Sequence, residues 1–175
     1  MKTLNYLGIC LVSLLFLSAA SCTPPGQKSN SEFNYDHWVP FETALTEAAE
    51  SGKMVLLDVY TDWCGYCRKM NEETYSDERV QEMLDKYFHS VKLDAESNDM
   101  IEHNEVVVTQ YEVARMLGVT GYPTTVFLDS DGTPVGSQPG FIDAETFANL
   151  LSFVGQRAFE TQSYEDFLSE LDSEG

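Results

Sequence analysis

Apolar positions along this chain change their spacing several times, and each change marks an element. Phe41, Ala44, Leu45, Ala48 and Ala49 fall at i, i+3, i+4, i+7 and i+8, one face of a helix that Gly52 is placed to end. Met54 to Tyr60 is then apolar at every position but Asp58, as in a strand buried on both faces. Ser76-Asp77-Glu78 offers an N-cap and first-turn acids to a helix carrying Val80, Met83, Leu84, Tyr87 and Phe88. Val91 and Leu93 alternate with polar neighbours as a short strand. Thr109 and Glu112 have capping-box spacing, and the helix they open bears Val113, Met116 and Leu117 before Gly118 closes it. Residues 124–129 read as a strand, Asp131-Gly132 as a turn and Val135 as the start of a return strand. Asp143 caps a helix with Phe147, Leu150, Leu151 and Val154, and Ser163 caps a last one with Tyr164, Phe167, Leu168 and Leu171. This order predicts an α/β domain, three layers α/β/α around a central mixed sheet, with an extra C-terminal helix.

The stretch from Ala95 to Val108 reads as a solvated loop that shapes a partner surface. Its Glu96, Asp99, Glu102, His103 and Glu105 make a metal site the alternative reading.

The first residues follow other rules. Lys2 is followed by an apolar run from Leu7 to Leu17 and by small residues up to Cys22. A run of that length suits a signal-peptide core and is short of the roughly 20 residues a membrane-spanning helix needs. Ala19-Ala20-Ser21-Cys22 resembles a bacterial lipoprotein signal, with Cys22 the lipidated residue; ordinary secretion and an uncleaved anchor remain alternatives. Residues 1–21 are thus expected to be a signal peptide, the Pro-, Gly- and Ser-containing 22–35 a tether, and 36–175 one domain placed outside the cytoplasm.

Charge and cysteines narrow the chemistry. With 29 acidic and 10 basic side chains the formal charge is −19, the wrong sign for binding nucleic acid. Of the 4 cysteines, Cys10 lies in the leader and Cys22 at its end, which leaves Cys64 and Cys67 to the domain. A structural zinc site wants four ligands, and neither a second Cys pair nor a His-x₃₋₅-His spacing is present. Arg68 stands where c-type haem attachment needs His, so neither metal nor cofactor is expected. Two thiols separated by two residues, where a strand feeds a helix, make a redox pair instead. The helix start offers N–H groups and partial positive charge to the first sulfur, and the thiolate is the reactive form. A purely structural disulfide is the plain alternative, although so short a loop constrains the unfolded chain little.

Three motifs carry a family resemblance over about residues 38–154. They are Val55-Leu-Leu-Asp-Val-Tyr-Thr-Asp-Trp-Cys-Gly-Tyr-Cys67, Val91-Lys-Leu-Asp94, and Gly118-Val-Thr-Gly-Tyr-Pro-Thr-Thr-Val-Phe-Leu-Asp129. The chain resembles the thioredoxin superfamily, and in particular the C-terminal periplasmic thioredoxin-like domain of transmembrane thiol:disulfide interchange proteins. Tyr75-Ser-Asp-Glu-Arg-Val-Gln81 and Gly140-Phe-Ile-Asp-Ala-Glu-Thr-Phe147 add to that likeness.

The resemblance implies a nucleophile at Cys64, the more exposed sulfur, and a resolving thiol at Cys67 that attacks the mixed disulfide. It places Asp58 beneath the pair to help take the Cys67 proton, with Lys92 as its neighbour. A lone carboxylate on that strand is costly unless paired or protonated. Tyr122-Pro123 matches the family's cis-proline dipeptide facing the cysteines, and Trp63 is expected to shape the docking surface. Tyr66 replaces the proline of Cys-Gly-Pro-Cys, and the residues between the cysteines influence the potential. The implied partners are protein thiols and disulfides and a separate electron donor such as a membrane thiol:disulfide interchange protein, and the implied place is the envelope, lipid-anchored and facing the periplasm. Reduction of protein disulfides is the preferred direction; an oxidase or isomerase, or a non-catalytic binding module, are the alternatives.

Overall fold

The computed structural model describes Tyr35, residues 37–103 and residues 106–174. The expected leader, Cys10, Cys22 and nearly all of the expected tether lie outside the described residues. The run at Met54–Tyr60 forms strand β1, which lies inside a four-stranded sheet. Its neighbours are β2 (Phe88–Asp94), parallel to it, and β5 (Thr124–Leu128), antiparallel; β6 (Pro134–Pro139) adds antiparallel to β5. The sheet is therefore mixed, in the order β2-β1-β5-β6.

Because successive strand residues point to opposite faces, β1 supplies two cores at once. Val55, Leu57 and Val59 pack with α1 (Phe41–Ser51) and α4 (Gln110–Met116) on one face. Met54 and Leu56 face the other way, into a core built with α3 (Glu78–Tyr87), α5 (Ala144–Gly155) and Phe167 of α6 (Tyr164–Glu174). Asp58 shares that second face. On that same face α2 (Gly65–Lys69) runs into a π-helical turn, Met70–Thr74. The wider turn lets Met70, Asn71 and Thr74 all point inward.

The helix ends behave as the sequence indicates. Gly52 closes α1 in the left-handed region at φ 76°, and Thr109 and Glu112 form a complete capping box. Asp143 caps α5 through the Thr146 N–H, and Ser163 accepts from the Asp166 N–H. At α3 the cap is Asp77, whereas Ser76 donates back to the Glu72 carbonyl at 2.6 Å.

Other expectations need correction. The stretch expected as a loop over residues 95–108 contains a hairpin, β3 (Met100–His103) antiparallel to β4 (Val106–Thr109). Ile101, paired with Val108, buries itself beside α1, and the Glu102 N–H donates to Glu42 Oε1 at 2.9 Å. One anchored apolar side suffices to fold the segment back. Among the described residues no three His, Cys, Asp or Glu side chains gather as a metal set. Phe88 begins β2 rather than ending a helix, and Met116, expected on the buried face of α4, is exposed. Tyr35, assigned to the tether, is buried in the core with its hydroxyl 3.3 Å from both Asp85 Oδ1 and Ser90 Oγ.

Candidate active site

Strand β1 ends at Tyr60 and the chain turns through Thr61-Asp62-Trp63 into α2. The Cys64 N–H donates to the Thr61 carbonyl at 3.1 Å, which fixes that turn. Cys64 is extended and acts as the N-cap of α2, while Cys67 sits within its first turn. The two are joined as a disulfide with Cα atoms 5.2 Å apart. The Cys67 N–H donates to Cys64 Sγ at 3.0 Å, so the first sulfur takes the place of a capping oxygen. The expected contrast in exposure is small in this oxidised state, at 4% for Cys64 and 3% for Cys67.

Aromatic rings flank the disulfide. Trp63 is 63% exposed and meets Tyr122 edge-to-face at 6.0 Å between centroids. Tyr66 is 65% exposed and tilts against Phe141 at 6.5 Å. Lys69 lies over the other ring of that pair, 4.2 Å from the Phe141 centroid, and also contacts Glu73. Arg68, exposed, donates to the Asp62 carbonyl at 3.1 Å. The Tyr122–Pro123 peptide is cis, and the Pro123 carbonyl accepts from the Gly140 N–H at 2.8 Å, which brings Phe141 to the same rim. Trp63 and Tyr66 adjoin the cysteines in the chain, and the Trp63–Tyr122 contact brings Tyr122, with the cis peptide to Pro123, to the same rim. Phe141 is the member of this rim that sequence reading left without a role. Burial, followed by the charges of Glu96 and Asp94 and the nearby Tyr111, raises the Tyr122 phenol pKa.

A polar row crosses the sheet on the face that carries Asp58. In register across the sheet stand Lys92 on β2, Asp58 on β1 and Thr125 on β5. Asp58 is only 1% exposed, and the Lys92 ammonium donates to it. The same ammonium donates to Asn71 Oδ1. Asn71 follows Cys67 by four residues, and both are buried, so the amide links the row to the turn that carries the second sulfur. The Tyr75 hydroxyl, the Thr125 hydroxyl and Asp58 Oδ1 are buried together, and the Tyr75 hydroxyl interacts with both Thr125 and Asp58. Burial first, and then the Asp58 charge, push the Tyr75 phenol well above its ordinary pKa. The i+4 spacing from Cys67 was the available signal for Asn71; Tyr75 and Thr125 gave none.

This geometry has relatives. A thioredoxin-like domain family matches residues 41–155. The chain belongs to the thioredoxin-like family. The thiol:disulfide interchange protein DsbD of Escherichia coli K12 is 36% identical over 109 residues, 60% of this chain and 17% of that protein. This chain thus spans only a small part of the length of that relative. Among solved structures, a thioredoxin from Thermus thermophilus superposes with a TM-score of 0.55 at 28% identity, covering 67% of this chain and 85% of the other. The reduced C-terminal domain of Neisseria meningitidis DsbD gives 0.50 at 25% identity, covering 63% and 90%. The thioredoxin fold anticipated from the motifs, with its added C-terminal helix, is the fold observed.

Proposed function

We propose that this protein is a thiol:disulfide oxidoreductase of the cell envelope that reduces disulfides in partner proteins. The observation that carries the reading is the Cys67 N–H directed at Cys64 Sγ within a bonded pair ringed by exposed aromatic side chains. In the reduced protein that donor favours a Cys64 thiolate. The thiolate attacks one sulfur of the partner's disulfide; a Cys64–partner bond forms and the partner's other sulfur leaves as thiolate. Cys67 then gives its proton to Asp58 and attacks Cys64 Sγ. The Cys64–Cys67 bond forms, the mixed disulfide breaks, and the partner leaves with both electrons of the pair. Lys92 keeps Asp58 compensated while it waits for that proton. No cofactor enters the cycle.

The aromatic rim is suited to an extended apolar segment around the partner's cysteine, with Tyr122 and Pro123 on the side facing Trp63. The name of the Escherichia coli relative, a thiol:disulfide interchange protein, supports this chemistry and a membrane interchange protein as electron donor. The leader and Cys22 support a lipid anchor in the envelope, facing the periplasm, with 22–35 as the tether. Palmitate labelling lost in Cys22→Ser is the check on that anchor.

Insulin reduction tests the activity. Cys64→Ser is expected to be inactive, and Cys67→Ser to accumulate Cys64-linked mixed disulfides. Full activity in Cys64→Ser would defeat the reading.

A further inference from the structure

Around the Lys92 ammonium the structure assembles more than the pair with Asp58. Three ring faces surround it, with centroids at 4.7 Å (Trp38), 5.0 Å (Tyr75) and 5.4 Å (Tyr60). Tyr60 and Tyr75 come with the strand and helix that carry the site. Trp38 comes from elsewhere, the segment before α1. A parallel bridge of Trp38 to Ser90, with the Val39 N–H donating to the Ser90 carbonyl at 2.9 Å, sets it beside β2. Ser90 lies two residues before Lys92, hence on the same face of that strand. The indole Nε1 is buried without a hydrogen-bond partner. What the side chain contributes is therefore its faces and edges: one to Lys92, the others at 5.1 Å to Tyr35 and 5.1 Å to Tyr75.

We propose that Trp38 is a positioning residue whose indole closes an aromatic cage, holds the Lys92 ammonium against Asp58, and so sets how readily Asp58 accepts the Cys67 proton. The inference rests on the dithiol-exchange reading above. A cation over three rings is attracted by each, and most strongly where water is excluded. Lys92 has a long flexible stem and its side chain keeps 18% exposure, so loss of one ring opens a path for it to swing toward solvent. A carboxylate left without its cation holds a proton more tightly. The titratable groups facing the pair are Tyr60 on β1, Tyr75 after the π turn and, beyond Tyr75, Tyr35 from the N-terminal segment. Asp94 and Asp62 stand beyond Tyr60, and with burial, which acts first, raise its phenol pKa; Asp85 stands beyond Tyr35.

The test is stopped-flow oxidation of the reduced full-length protein by Ellman's aromatic disulfide. Cys64 attack releases one aromatic thiolate; Cys67 attack on the resulting mixed disulfide releases the second and closes Cys64–Cys67. The second phase isolates the step in which the Cys67 proton moves. Trp38→Leu is expected to raise the pH midpoint of that phase by about one unit, while Trp38→Phe, which keeps a ring face, moves it less than half as far. Lys92→Met is expected to raise the midpoint as well, and Trp38→Leu added to Lys92→Met to change nothing more. An unmoved midpoint in folded Trp38→Leu, or a Trp38 effect that persists in Lys92→Met, overturns the proposal. The wild-type protein supplies a test that needs no variant: the Lys92 ε-methylene proton resonances should lie upfield of free lysine, and their absence from that position overturns the cage. A wild-type protein with no second phase overturns the exchange reading itself, and the inference with it.

Discussion

Cys67 donates its backbone N–H to Cys64 Sγ at 3.0 Å, so one helical turn both joins the two sulfurs and prepares the first of them to carry charge. The asymmetry is one of hydrogen bonding, since both residues are almost equally buried when oxidised. In the reduced protein, iodoacetamide at neutral pH should label Cys64 at least about tenfold faster than Cys67, because the thiolate reacts and the thiol does not. Peptide mapping by mass spectrometry gives the two rates. Equal labelling would remove the special role of Cys64.

Trp63 stands 63% exposed on the rim, edge-to-face with Tyr122. Truncating an exposed aromatic anchor at a docking surface costs more than about 1 kcal/mol of binding. Trp63→Ala is therefore expected to raise KM about fivefold more for a protein disulfide than for a small aromatic disulfide. Steady-state kinetics with the two substrates decide it, and equal changes would place Trp63 outside recognition.

A second site sets acid stability. Arg157 makes two bonds of 2.8 Å to the Asp129 carboxylate, and that guanidinium, aided by the Ser130 N–H, lowers the Asp129 pKa to about 2. A carboxylate that is more acidic folded than unfolded stabilises the fold above its unfolded value near 4, and that stabilisation is lost as pH falls from about 4 to about 2. Arg157 is 41% exposed, so solvent screening limits the contribution to about 1 kcal/mol. Asp129→Asn should lower stability by that amount at pH 7 and by only a small fraction of it near pH 2. Urea denaturation at the two pH values measures both.

Helices α3 and α5 approach so closely that a Cβ built on Gly155 would lie 2.5 Å from Cβ and Cγ of Tyr87. Those atoms are at the root of the side chain and cannot swing aside. Gly155→Ala is expected to destabilise the protein by about 1–3 kcal/mol. Adding Tyr87→Ala should recover part of that loss, which a thermodynamic cycle of denaturation midpoints would show.

Most of the scaffold was legible because local signals and burial agree in it. The apolar stripe of α1, the Thr109–Glu112 box, the Asp143 cap and the nearly unbroken apolar run of β1 each point to one conformation. The β3–β4 hairpin was not legible, since its acids and His103 mask a single inward-facing apolar pair, Ile101 and Val108. At the site, the cysteines, Asp58, Lys92 and Tyr122-Pro123 follow from spacing and resemblance. Trp38 and Tyr75 do not. Their approach to Lys92 depends on how distant segments pack over one sheet face, which no local pattern encodes.

The most direct test equilibrates the full-length protein in glutathione buffers of graded potential and counts alkylated Cys64 and Cys67 by mass. A single reversible two-electron transition with a midpoint below about −200 mV is expected. A midpoint above about −150 mV would reverse the direction of electron flow, and a bond that neither opens nor reforms across the series would contradict the account at its centre.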